Sequence, residues 1–309
     1  MFNLWKKLTK KNGIRAVASR QNEDKRKLGS VTDELEVPDE IKYEIAASLL
    51  SDVGCAREVN EDRGTYVRPG DSELLQKKGT LLLVADGMGG HSAGEVASSI
   101  AVDVISRAYY ENTDDAQSSL TTAFQKACRE IFEAGQKDDS LKGMGTTATA
   151  LVLKNGKAIS AHVGDSRIYL VRNEQIYVMT QDHSEVMEMV RRGLISLEEA
   201  RHHPDKNVIL RALGSHEEVE VSTWDSPFPV RLADLFLLCS DGLYDLVEDE
   251  EIKELATSGD PHAACESLIA LAKERGGHDN ITVGIVRVKS AGEADSKPIP
   301  MTREMEVGR

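Results

Sequence analysis

No stretch of this 309-residue chain approaches the roughly 20 consecutive apolar residues of a membrane-spanning helix. The N-terminus is basic but lacks the apolar core and small-residue cleavage site of a secretory signal. A cytoplasmic protein is expected. Cysteine is scarce. Cys55, Cys128, Cys239 and Cys265 are scattered, with no CxxC pair and no CxxCH run. They read as small buried hydrophobes in a reducing compartment. No histidine or cysteine falls at zinc-ligand spacing, and no internal repeat is present. Positive charge is in deficit, with 38 Lys and Arg against 52 acidic residues and a net charge of −14. That balance argues against nucleic acid as the main partner.

Basic residues outnumber acidic ones at the front of the chain. Residues 1–28 hold nine Lys or Arg against two acids, a net of +7, so the remainder carries −21. Residues 1–40 read as a basic tail and linker. Phe2, Leu4, Trp5 and Leu8 interleave with Lys6, Lys7, Lys10 and Lys11. Two readings fit, a solvated tail and an amphipathic segment making peripheral contact with anionic lipid or an acidic partner. Residues 290–309 are polar and read as a disordered C-terminal tail.

Between the tails the hydrophobic period changes along the chain. A strand is expected at 41–49. Helices are expected at 93–110, with Val96, Ile100, Val104 and Ile105 on one face, and at 118–136, with Leu120, Phe124, Cys128, Ile131 and Phe132 as the stripe. The period then becomes two. Residues 146–153 read as a strand, Asn155-Gly156 as a hairpin turn and 157–171 as its partner. Asn173-Glu174 forms another turn before 176–180. Strand 235–240, a helix over 261–277 with a glycine stop, and strand 281–288 complete the series. Antiparallel strand groups alternating with helices suggest one α+β domain at 41–289, sheet packed on sheet with helices outside.

Acidic residues stand where the apolar strands run out. Asp86 ends LLLVADG, Asp241 ends LFLLCSDG, Asp165 lies in HVGDSR and Asp279 opens HDNITVGIVRV. Carboxylates converging at sheet ends repel one another unless a cation sits among them. With Asp62 and the adjacent Glu61, the donor set is all oxygen and suits Mg²⁺ or Mn²⁺. Gly87 and Gly242 follow two of the acids, where glycine permits a sharp turn and a close carbonyl. Several carboxylates exceed the needs of one ion and fit a pair, which can activate a bridging water. Arg57, in GCAREVNEDR, is suited to hold a phosphate by a two-pronged hydrogen bond; alone it would read as a surface ion-pair residue. Asp86 and Asp241 also admit a helix N-cap reading, and GDSR a tight turn. No cysteine is followed six positions later by arginine, and no GxxxxGK[ST] or kinase HRD and DFG set occurs.

Taken in order, SDVGCAREVNEDR (51–63), ADGMGGHSAGE (85–95), MGTTATA (144–150), VGDSRIY (163–169), TQDHS (180–184), ALG (212–214), CSDGLYD (239–245) and GGHDNITV (276–283) resemble the bacterial form of the metal-dependent protein serine/threonine phosphatases of the PP2C (PPM) family. The resemblance implies an αββα four-layer sandwich, two central antiparallel sheets flanked by helices. It implies two core Mn²⁺ or Mg²⁺ ions on Asp62, Asp86, Asp241, Asp279 and the Gly87 carbonyl. Glu61 would act through a metal-bound water, and Arg57 would bind the substrate phosphate. Asp165 with Asp241 would form a third, weaker metal site. Residues 184–213 would be a mobile flap beside the site.

The implied reaction is hydrolysis of phosphoserine or phosphothreonine on proteins by direct attack of a water bridging the two ions. The implied partners are a cognate Ser/Thr kinase and its targets, and a monomer is expected. One position departs from the family's animal and plant members. Met88 stands where they carry a general-acid histidine. His91 lies nearby at a place with no settled role. Asp182 and His183 read as braces between sheet and flap, and Cys239 as core. A silent phosphoprotein-binding module of the same fold is the rival reading; it should have lost core carboxylates, and all are kept here. A metal-dependent phosphodiesterase or nuclease fits the ions but not the acidic surface.

Overall fold

A computed structural model of the chain describes residues 43–89 and 93–290. The basic tail and linker at 1–40, the C-terminal tail beyond residue 290 and His91 lie outside the described residues. Strand β1 spans Tyr43–Asp52, β2 Asp62–Val67 and β3 Thr80–Met88, with α1 at Ser72–Lys78. Helices α2 (Ala93–Glu111) and α3 (Ala116–Lys137) follow. Next come β4 (Gly145–Thr146), β5 (Ala148–Lys154), β6 (Lys157–Val163), β7 (Arg167–Arg172) and β8 (Gln175–Val178). Short helices α4 (Glu185–Arg191) and α5 (Leu197–Arg201) precede β9 (Ser222–Thr223), β10 (Phe228–Pro229) and β11 (Leu235–Cys239). The series closes with α6 (Asp241–Tyr244), α7 (Asp249–Thr257), α8 (Pro261–Glu274) and β12 (Ile281–Ser290).

The strands form two antiparallel sheets, ordered β1-β12-β11-β7-β8 and β10-β6-β5-β3-β2, with β4 and β9 at the margins of the second. Alternation along β3 explains the layering. Leu82 and Val84 point between the sheets, where they meet Ile168, Leu170, Phe236, Leu238 and Val286. Leu81, Leu83 and Ala85 point the other way, onto α2 and α3. In the other sheet Leu237, Cys239, Val283 and Ile285 face Ile252 and Ala256 of α7 and Cys265 and Leu268 of α8. Both faces of both sheets are thus covered, the four-layer αββα sandwich. It also explains why β3 and β11 read as continuous apolar runs instead of alternating ones.

The α2 face differs from the expected stripe. Ala97 and Ala101 join Val104 and Ile105 in full burial, while Val96 and Ile100 are only partly covered. Alanines let this helix lie close on the sheet. Asp115 caps α3 by accepting from the Gln117 and Ser118 N–H groups. Helix α8 starts at Asp260-Pro261 and ends with the Gly276 and Gly277 N–H groups bonded to the Lys273 and Ala272 carbonyls. In both hairpin turns, Asn155-Gly156 and Asn173-Glu174, each central residue has positive φ.

One expectation fails in a way that matters. Residues 157–171 are not a single strand. At Gly164 (φ +107°) the chain leaves the second sheet and enters the first, so β6 and β7 lie in different layers. A Cβ at Gly164 would stand 2.5 Å from Thr147 Cγ2, so only glycine fits this corner. Asp165 sits on the crossover.

Candidate metal centre

Register brings the first two acids together. Asp62 in β2 lies directly opposite Asp86 in β3. Like charges in that position destabilise a strand pair. The N-cap reading of Asp86 fails, because it lies within a strand. That of Asp241 fails as well, because Ser240 holds the cap position and Asp241 opens α6. Ser240 does not cap with its side chain; its Oγ donates to Asp62 Oδ2 at 2.7 Å and accepts from the Thr282 N–H at 3.0 Å. Asp279, between α8 and β12, accepts from its neighbour Asn280 N–H at 2.8 Å and from Arg57 Nη2 at 2.8 Å.

The five aspartates share one electrostatic field. Burial raises the Asp86 carboxyl well above the usual carboxylate range, and Asp62, Asp241, Asp165 and Asp279 push it further. Burial likewise raises Asp241, with Asp165, Asp245, Asp279 and Asp62 adding to it. Asp62 is pushed up to about 6 by burial, against hydrogen bonds from Ser240 and Thr282. Asp165 is pushed up to about 7 by burial and by Asp182, against Arg167. Glu61 is raised by burial, with Arg57 opposing.

Whether these residues suit a cation is answered by their free oxygens. Asp62 is 1% exposed and Asp165 4%. Asp62 Oδ1, Asp165 Oδ1 and Glu61 Oε1 are buried with no hydrogen-bond partner. Buried polar atoms are rarely left so, and three among carboxylates of one sign fit hard divalent ions. Among the described residues no three His, Cys, Asp or Glu side chains yet form a finished ion cage. Mutually repelling carboxylates do not close up by themselves.

The glycines act differently from the expectation of a sharp turn. Gly87 continues β3, and a Cβ there would meet the Gly94 carbonyl of α2 at 2.2 Å. Gly242 lies inside α6, and its Cβ would meet the Asn280 carbonyl at 2.0 Å. Both glycines admit close packing of backbone behind the acids.

Arg57 stands at the site through its bond to Asp279, its side chain 49% exposed. It therefore has the ion pair that a surface arginine would have, on one of the candidate metal ligands. Asp182 brackets Arg167, accepting from Nε at 3.2 and 3.1 Å and from Nη2 at 2.7 Å. The His183 N–H donates to the Gly164 carbonyl at 2.8 Å, and its ring accepts from the Gly164 N–H. Burial pushes His183 down to about 3 and His162 down to about 4, so both rings are neutral and neither is an acid. Cys239 is fully buried with its thiol pushed up by burial.

Three residues of the site went unnoticed in the sequence. Asn280 accepts from the Glu61 N–H and donates to the Val53 and Val59 carbonyls, pinning the Arg57 loop to β12. Ser240 orients Asp62. Ser98 Oγ donates to the Glu61 carbonyl at 2.5 Å. The signal available for the first two was their position beside Asp279 and Asp241; Ser98 had none.

A family model described as protein phosphatase 2C matches residues 71–273. A serine/threonine phosphatase, stp, of Listeria monocytogenes serotype 4b is 39% identical over 246 residues, 78% of this chain and 94% of that protein. The chain belongs to the protein phosphatase 2C family. It is a serine/threonine protein phosphatase. Solved structures agree with this membership. The Mycobacterium tuberculosis serine/threonine phosphatase PstP/Ppp is similar at TM-score 0.71 and 35% identity, over 79% of this chain and 99% of that one. A catalytic domain of PstP in complex with two manganese ions is similar at TM-score 0.70 and 34% identity, over 81% of this chain and all of that one. Among the phosphatase's described residues no helix is long and apolar enough to cross a membrane.

Proposed function

We propose that this phosphatase hydrolyses phosphoserine and phosphothreonine on proteins with two Mn²⁺ or Mg²⁺ ions held by Asp62, Asp86, Asp241, Asp279 and the Gly87 carbonyl. Asp165 and Asp241 hold a third, more weakly. When bound, the ions supply the acidity that readies a bridging water for in-line attack and the charge that balances the phosphoryl oxygens. The oxygen of water bonds to phosphorus as the bond to the serine or threonine oxygen breaks, releasing inorganic phosphate. Glu61 would reach an ion through water, with Oε1 free for that contact. Arg57 leaves Asp279 to hold the substrate phosphate by a charge-assisted bond. Met88 carries no proton to give, so the leaving oxygen takes one from solvent. The substrates are phosphorylated proteins, among them targets of a cognate Ser/Thr kinase, met in the cytoplasm by a monomer. Residues 184–213 act as a mobile flap in a domain of residues 41–289.

The observation that supports this reading is Asp62 set opposite Asp86, with partnerless buried oxygens on Glu61, Asp62 and Asp165. A phosphothreonine peptide tests it. Hydrolysis should require added Mn²⁺ and stop on chelation. Asp241→Asn should lose roughly 10³-fold or more, as expected when several kcal/mol of ion-based stabilisation go. Near-native turnover in Asp241→Asn would discard the assignment. Arg57→Ala should raise KM about tenfold with Mn²⁺ binding intact; an unchanged KM removes its phosphate role.

A further inference from the structure

Residues 184–213 leave the sandwich between β8 and β9 with little apolar anchorage. Val186 and Ala200 are buried, as are Ala212 and Leu213 at the base, but Leu194, Leu197, Val208 and Leu210 are 69%, 52%, 42% and 55% exposed. Backbone bridges hold the base of the excursion, Ser184 with Ile209 and Leu213 with Thr146. Its outer part is held by charge. Lys206 Nζ donates to Asp245 Oδ2 at 2.5 Å, and Arg201 pairs with Glu248 and, at 3.5 Å, with Asp249. An outer part with exposed apolar side chains and ion pairs as its ties belongs to the low-stability end of a fold.

Asp245 is the instructive partner. It is the C-cap residue of α6, the helix that Asp241 opens. Its side chain is 13% exposed, and His278 Nε2 lies 3.9 Å from the same oxygen that Lys206 holds. The Asp245 charge reaches both Asp241 and Asp165. Lys206 therefore brings a positive charge from the excursion into the field of the acid cluster.

We propose that the Lys206–Asp245 pair is an electrostatic latch closing the 184–213 excursion against the acid cluster, and that a divalent cation on Asp165 and Asp241 competes with Lys206 for the same negative field. The second half rests on the cation reading of Asp165 and Asp241 given above. A cation there repels the Lys206 ammonium and draws on Asp245, which loosens the excursion. Linkage requires the converse: removing Lys206 leaves Asp245 uncompensated and tightens cation binding. Lys206 acts through Asp245 and so is a positioning residue.

Hydrogen exchange of peptides covering 185–213, read by mass spectrometry on the full chain, tests the latch first in chelator. Lys206→Met should exchange roughly five- to tenfold faster than wild type there. Asp245→Asn should do the same, and the double variant should be no faster than either single one. Wild-type exchange in both single variants, or additive effects, overturns the latch. Calorimetric titration with MnCl₂ tests the competition. The weakest Mn²⁺ equivalent should bind about fivefold tighter to Lys206→Met, and Mn²⁺ should speed exchange in wild type but not in the variant. Equal affinity and equal response in both overturn the competition. Asp165→Asn separates this from failure of the underlying reading. In chelator it should still exchange faster once Lys206→Met is added, and it should lose the weakest Mn²⁺ equivalent; retention of that equivalent refutes the third-ion assignment while the chelator result stands.

Discussion

Two sets of buried aspartates in this molecule have opposite fates. Asp234, 1% exposed, accepts Nε and Nη2 of Arg172 at 2.7 and 2.6 Å and the Arg231 N–H at 2.6 Å. Arg172 in turn donates to the Pro229 carbonyl and lies over the Phe228 ring. Each charge there has an opposite charge and several hydrogen bonds. Asp62, equally buried, faces another aspartate and keeps one oxygen free. Residue type and burial are the same at both places. What differs is whether the fold supplies the counter-charge or leaves it to something that binds. The first arrangement holds two layers together; the second is destabilising by itself and suits a cation.

Removing charge at each place should break the comparison in opposite directions. Asp234→Asn leaves Arg172 buried without its anion and should lower stability by about 3–5 kcal/mol in urea denaturation, with turnover per folded molecule unchanged. Asp62→Asn relieves repulsion, so the chelated variant should be at least as stable as chelated wild type, while Mn²⁺-dependent turnover falls roughly 10³-fold. A large loss of stability in chelated Asp62→Asn would show that this aspartate is structural like Asp234.

Acidity sharpens the contrast. Folding raises Asp62 from the ordinary 3.8 to about 6 and Asp165 to about 7. The folded chain thus holds these protons longer than the unfolded one. Their stabilising contribution is complete below the ordinary value and is lost as pH rises through about 6 and then about 7. The thermal midpoint in chelator should fall over that window, and saturating Mn²⁺ should flatten the slope. A chelated midpoint that rises steadily from pH 4 to 7 contradicts the coupling of these acids. The smallest effect is expected at Ser240→Ala. It removes one hydrogen bond to Asp62 and one from Thr282, about 1–2 kcal/mol of stability, and should weaken Mn²⁺ binding only severalfold. Unchanged metal affinity would mean that Ser240 braces the strands without orienting Asp62.

Much of the architecture was legible because both sheet faces are covered. Continuous apolar runs such as 81–85 and 235–239 stand out, and so do the two hairpin turns and the helical stripe of Leu120, Phe124, Cys128 and Ile131, although Phe132, expected on that stripe, is only partly buried. Strand β2 was not legible. Asp62, Arg63, Gly64, Thr65 and Tyr66 are polar or small, and it sits at the sheet's edge, where β3 alone holds it. Helix α7 hides in DEEIKELAT, where Ile252 and Ala256 are buried and Leu255 packs partly against the core. The crossover at Gly164 was invisible because strand-forming residues flank it on both sides. The eight ordered motifs carried the family and the acid set. Asn280 was marked only by its place beside Asp279, not by its contacts with the Glu61 loop, and local spacing carried no sign of Asp245 as the acid held by Lys206.

By itself the sequence determined which residues are acidic at strand ends, the alternation that makes each strand two-faced, and membership of a phosphatase family. Those are properties of neighbours in the chain. Only the tertiary structure decided that Asp62 stands opposite Asp86, that Asp165 lies on the corner between sheets and that Lys206 reaches Asp245. Strand register and layer crossing bring together residues separated by tens to hundreds of positions. The free energy of a buried charge depends on those distant neighbours, not on the residues beside it in the chain.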